Sequence, residues 1–141
     1  MTNKMSHSEY LAELDKQMSE SEHQIRLFAE VDLLIPKYPE LALLFHIPNG
    51  ELRAKATAAR LKACGVKSGV PDLFLPVARH GYNGLFIELK SLKKGAAPTI
   101  QQEDWLNSLS NNGYRAEIAY GWREALAVIR EYISEQGKRE E

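Results

Sequence analysis

Apolar positions along this chain recur with two periods, one helical and one alternating, and the switches between them mark out its elements. Residues 6–18, SHSEYLAELDKQM, carry few apolar positions and predict a short polar helix, loosely attached. A second helix begins near Ser19. In SESEHQIRLFAEVDLLI, Ile25, Phe28, Ala29 and Leu33 recur at helical spacing and predict its inner face, and Pro36 and Pro39 end it. LALLFHIP reads as a short buried strand. Asn49 and Gly50 predict a turn, and the alanine-rich run to Cys64 a helix stopped by Gly65. Strands are predicted at about residues 70–77 and 84–90, followed by the basic loop KKGAAP. TIQQEDWLNSLSNNG predicts an amphipathic helix with Ile100, Trp105, Leu106 and Leu109 inward, closed by Gly113. YRAEIAYG then reads as a strand, WREALAVIREYI as a last helix, and SEQGKREE as a fraying tail. Mixed strands with flanking helices predict an α/β or α+β sandwich around a small sheet.

The 141 residues suit one domain with a real core, and 44% hydrophobic with 26% charged residues suits a globular chain. No apolar run approaches the roughly 20 residues of a membrane span. The first residues have no apolar signal core, so a cytoplasmic location is expected, without membrane contact. Cys64 is the single cysteine, which excludes an internal disulfide and a multi-cysteine zinc cluster. It is expected as a small core residue.

Charge changes the picture. The net charge of −1 hides a segregation: residues 1–51 carry nine acids and four bases, and residues 103–141 eight acids and five bases. Between Leu52 and Gln102 there are nine bases and two acids, Asp72 and Glu88. A basic middle inside a neutral total is the asymmetry expected of a nucleic-acid footprint.

Those two acids sit in the predicted hairpin. Glu88 and Lys90 are two apart on one strand and share a face, opposite Leu85, Ile87 and Leu89. Asp72 shares a face with Phe74. A turn centred on His80 puts Asp72 across from Glu88, and a register shift of two puts it across from Lys90. Two facing carboxylates repel unless a cation lies between them, and their oxygens suit Mg²⁺ or Mn²⁺. A cross-strand Asp–Lys surface pair is the other reading of the same pattern.

Pro71-Asp72, followed 16 residues later by Glu88-Leu89-Lys90, resembles the PD-(D/E)xK nuclease signature. The wider context is more specific. HIPNGELRAKATAARLKACGVKSGVPDLFLP, GLFIELK and QEDWLNSLSNNGY, in that order, resemble a VRR-NUC domain from about Ser21 to Ile133. The resemblance implies a restriction-endonuclease-like αβββαβ core spanning residues 19–135, with a helical extension at 1–18 and a tail at 136–141. It also implies Mg²⁺- or Mn²⁺-dependent hydrolysis of DNA phosphodiesters, leaving 5′-phosphate and 3′-hydroxyl ends. Asp72 and Glu88 would be metal ligands, with the Leu89 carbonyl a backbone ligand and Lys90 the catalytic lysine. Glu22 matches the family's acidic helix position and Gln102 the glutamine of the later helix. The short chain resembles the stand-alone phage and bacterial form, which implies a dimeric, Holliday-junction-resolvase-like enzyme of branched DNA. Fused members of the family cut flaps, and a DNA-binding module without turnover is the reading from another class.

Several of these residues have a second reading. Ser19 with Glu22, and Thr99 with Gln102, both fit a helix capping box, a role compatible with one at the metal. Glu30 and Gln101 are weaker substitutes for Glu22 and Gln102. His46 could contact phosphate or act as a base, or be structural between Phe45 and Ile47. The Asn49 and Gly50 amides could approach a phosphate. Arg53 and Arg60 share one helix face, Lys55 and Lys62 form a second stripe, and with Lys67, Lys93 and Lys94 they would hold phosphate backbones without reading sequence. Gly65 and Gly69 would permit the sharp approach of VPD to the site.

Overall fold

The structure is a computed structural model in which residues 4–48 and 55–134 are described. Helix α1 (His7–Gln17) opens on a capping box: Ser6 Oγ accepts from the Glu9 N–H and the Glu9 carboxylate accepts from the Ser6 N–H. Helix α2 (Glu20–Leu34) opens the same way on Ser19 and Glu22. It buries His23, Leu27 and Val31, one residue per turn along a single stripe. Ile25 and Leu33, expected inside, are 71% and 74% exposed, and Ala29 is exposed beside them. Both faces of α2 carry apolar residues. Packing against α5 and the sheet selects the Leu27 face, a choice that period alone does not make.

Pro39 starts a 3-10 turn, Pro39–Leu43, so the expected buried strand shrinks to β1 (Phe45–His46), which is exposed. Leu41 and Leu44 take the buried positions from the turn, leaving two residues for the sheet. Helix α3 (Lys55–Ala63) follows, and Gly65 after it has φ +100°. The described α3 side chains are exposed except for half-buried Leu61. Cys64, at the end of this surface helix, is exposed rather than in the core.

Strands β2 (Leu73–Leu75), β3 (Leu85–Lys90) and β4 (Arg115–Tyr120) complete a sheet of order β1-β2-β3-β4. The first three strands are antiparallel, and β4 is parallel to β3. A parallel neighbour needs a crossover, and helix α4 (Ile100–Asn111) supplies it. Helix α5 (Gly121–Ser134) ends the described chain. The mixed sheet flanked by helices is the expected α/β architecture.

The two sheet faces differ. Leu73, Leu75, Leu85, Ile87, Leu89 and Ala119 join α2 and α5 in the main core. Phe74 and Phe86 point the other way, stacked with centroids 4.1 Å apart, and Tyr114 meets both rings edge-on. Helix α4 covers this second face, and its Leu106 is buried there. Ile100, expected inward, is 77% exposed, because the inner stripe of α4 runs through Gln102, Leu106 and Leu109.

The α1 extension is tied down rather than loose. Buried Asp15 accepts from Trp122 Nε1 at 3.2 Å and from Arg123 Nε at 2.7 Å. Burial raises its carboxyl pKa, but these donors outweigh that effect and hold it below the ordinary range. Among the described residues no helix is long and apolar enough to cross a membrane.

Candidate active site

The register of the β2–β3 hairpin decides whether the two acids meet. At its tip Arg79 and Tyr82 exchange backbone hydrogen bonds around a two-residue turn, His80 and Gly81, at φ +54° and +83°. Continued without interruption, that pairing would set Asp72 opposite Leu89 and place Asp72 and Glu88 on opposite faces. Residues 76–78 on one arm stand against residues 83–84 on the other, three against two. This bulge shifts the ladder by one, to Leu73 opposite Ile87 and Phe74 opposite Phe86. The next position along the ladder sets Asp72 against Glu88. Of the two registers left open by the sequence, the one centred on His80 is found.

Glu88 is 1% exposed and Lys90 7%, both on the α4 face of β3. Asp72 Oδ2 accepts from the Leu89 N–H at 2.8 Å. The Asp72 carbonyl accepts from the Ile47 N–H at 2.7 Å and lies 2.9 Å from His46 Nδ1. A carbonyl only accepts, so His46 carries its proton on Nδ1. His46 therefore holds the backbone of Asp72 in place from the edge strand. Gln102 Oε1 caps α4 by accepting from the Thr99 N–H at 2.8 Å, while its Nε2 donates to Glu88 Oε1 at 3.2 Å. An amide has both a donor and an acceptor end, so the two expected roles coexist. Its position one turn before Leu106, on the inner stripe of α4, is the sequence signal for this contact.

Glu88 Oε2 is buried and has no donor among the described residues. Burial, then a hydrogen bond shared with the Asp72 carboxyl, then repulsion by the Asp72 charge push the Glu88 pKa up from 4.5 to about 9. Lys90 opposes this rise, and Glu20 adds to it. Glu20 was not singled out in the sequence. It is the first residue of α2, beside the Ser19 cap, whereas Glu22 is the acid held in the capping box. Glu22 is exposed, with its carboxylate 3.5 Å from the Ser19 N–H. Glu30 is paired with Arg26 at 2.9 Å. Gln101 is exposed, and its backbone packs on Gly69 (φ +88°), where an added Cβ would come within 2.9 Å of the Gln101 carbonyl.

Arg60 and Lys62 are exposed on α3, Lys67 follows it, and Lys93 and Lys94 are exposed after β3. Asn49, Gly50, Arg53 and the Lys55 side chain lie outside the described residues. No cluster of three His, Cys, Asp or Glu side chains poised for a metal occurs among the described residues. The donor set is instead two facing carboxyl groups, one of them with a buried oxygen that no donor reaches. That chemistry fits a hard divalent cation, whose remaining ligands are commonly water and phosphate oxygens.

The VRR-NUC domain family model matches residues 37–122, more than half of the chain. A solved structure described as a VRR_NUC domain protein is similar at 30% sequence identity and a TM-score of 0.68. The match covers 82% of this chain and 88% of that one. Among curated proteins nothing matches. The hairpin carrying the paired acids and the whole of α4 fall within the matched span, and the chain belongs to the VRR-NUC family of DNA nuclease domains.

Proposed function

We propose that the protein is a Mg²⁺- or Mn²⁺-dependent, structure-selective endonuclease that cuts branched DNA as a homodimer. The observation that carries the catalytic part is the facing pair: half-buried Asp72 and buried Glu88 meet beside Lys90, and one Glu88 oxygen has no donor. Asp72, Glu88 and the Leu89 carbonyl would hold the cation. Glu20, whose charge reaches Glu88, is a better candidate than Glu22 for the further acid of α2. A bound divalent cation polarises a phosphate and lowers the pKa of a bound water.

The chain's own residues do the positioning. Gln102 fixes one Glu88 oxygen, and the Leu89 N–H and the His46–Ile47 edge fix Asp72 at its carboxylate and its carbonyl. Lys90 orients the attacking water or stabilises negative charge developing on the phosphate. Water attacks phosphorus in line and the 3′ oxygen leaves, giving the 5′-phosphate and 3′-hydroxyl ends that the family resemblance implies. Arg60, Lys62, Lys67, Lys93 and Lys94 hold the DNA backbone around the site.

The test compares wild type with Asp72→Ala and Lys90→Ala on junction, flap and linear duplexes in Mg²⁺ or Mn²⁺. Wild type is expected to cut junctions best. Both variants are expected to lose about 10²-fold or more in rate while retaining DNA binding. Equal cleavage by Asp72→Ala would remove the metal-site assignment. Preferential flap cutting would replace the junction assignment, and binding without cleavage by wild type would leave a non-catalytic module.

A further inference from the structure

A groove of about 510 Å³ lies between α3 and the first turns of α4, outside the carboxylate pair. Ala58, Leu61, Val66 and Trp105 supply apolar wall, and Lys62 and Lys67 supply positive charge; no lining residue is acidic. Neither lysine has an ion-pair partner among the described residues. The Trp105 indole is fixed in the wall, because its Nε1–H donates to the Ser68 carbonyl at 3.0 Å. An aromatic wall flanked by cations matches the two faces of a nucleotide, one stacking and one anionic. The volume is that of a small-ligand site, too small for a duplex.

The groove is coupled to the reaction centre through two elements. Helix α4 lines it with Gln101 and Trp105 and, between them in sequence, sends Gln102 to Glu88. The segment from Val66 to Ser68 lines it and then runs through Gly69, tight against Gln101, to Asp72. A strand whose phosphate lies at Asp72 and Glu88 therefore has a flanking nucleotide within reach of the groove. A base inside a duplex is stacked on its neighbours and cannot enter, whereas an unpaired one at a branch point can stack on protein.

We propose that the α3–α4 groove is a subsite for one unpaired nucleotide flanking the cut, with its base against Trp105 and its phosphate between Lys62 and Lys67. This rests on the reading of Asp72 and Glu88 as the reaction centre and deepens it: the groove would be the part that senses a branch.

The test uses the full chain in EDTA and hairpin duplexes that differ only in one unpaired 2-aminopurine nucleotide. Wild type is expected to bind the unpaired form about tenfold more tightly than the fully paired one, and to quench its fluorescence. The double change Lys62→Ala with Lys67→Ala, on exposed side chains, should remove most of that preference and weaken its salt dependence. Trp105→Leu should abolish the quenching, while Trp105→Phe should keep part of it and so separates loss of stacking from loss of fold. Equal affinity of wild type for the two hairpins, or a preference unchanged in the lysine variant, overturns the subsite. Cleavage in Mn²⁺ is scored separately: a chain that cuts without the preference loses only the subsite, whereas one that shows neither loses both readings.

Discussion

Burial, and then Asp72, oppose charge on Glu88 and push its pKa up, so the proposed cation would have to displace a proton to bind there. The unfolded chain releases it near 4.5 and the folded chain near 9. Between those values the folded state holds the extra proton, so this group's contribution to stability falls as pH rises from 4.5 towards 9. Glu88→Gln imitates the protonated acid and removes that slope. Its melting temperature in EDTA at pH 8 is expected to equal or exceed that of wild type, while cleavage is lost. Added Mn²⁺ should raise the melting temperature of wild type, increasingly so from pH 6 to 9, and leave Glu88→Gln unmoved. Thermal melts across pH read both effects, and a Mn²⁺ shift in the variant equal to that in wild type would remove Glu88 from the ligand set. Strand parity made Glu88 and Lys90 legible as one face. What it left open was the partner of Asp72, because a single extra residue near Val77 reverses the facing of a whole strand.

Elements were legible where one face was clearly apolar and less so where two competed. Helix α4 was placed by its cap and by Gly113, yet Ile100 was assigned inward although Gln102 holds that stripe. On α2 the apolar residues surround the helix, and only packing selects Leu27 and Val31. The contact of Gly69 with α4 has no periodic signature at all. There an added methyl meets backbone at 2.9 Å at a φ that L residues rarely adopt. Gly69→Ala is expected to cost about 1–3 kcal/mol and to slow cleavage beyond that loss, because the loop it displaces leads to Asp72. Melting and rate assays together separate the two effects. At the other end of the molecule, Asp15→Ala would leave the buried Trp122 Nε1–H without its acceptor and return the half-exposed Arg123 to water, and is expected to destabilise by about 1–2 kcal/mol. The depressed Asp15 pKa gives the sign of its pH dependence. Its stabilisation is present above the ordinary value of 3.8 and is lost as pH falls through the folded value, so the gap between wild type and variant should narrow in acid.

At the scale of the whole molecule, the segregation of charge read from the sequence carries over in part, because the basic residues lie in one contiguous stretch. Residues 52–102 hold nine bases and two acids. Arg60, Lys62, Lys67, Lys93 and Lys94 are exposed on α3 and on the loops before β2 and after β3, whereas Arg79 sits at the hairpin tip, 3.8 Å from Glu40. If the proposed junction cleavage holds, two cuts are needed, whereas the described residues of one chain hold a single facing carboxyl pair, and twofold symmetry supplies two equivalent centres. A particle of about twice the 15.9 kDa chain mass is therefore expected in solution, which sedimentation or light scattering at micromolar concentration measures directly. The two cuts should also be coupled. On a plasmid-borne cruciform, a dimer mixed from wild-type and Asp72→Ala subunits should leave nicked circles where wild type leaves linear product. A monomeric particle on junction DNA, or linear product from the mixed dimers at the wild-type rate, would place both cuts on one active site and set aside the twofold arrangement.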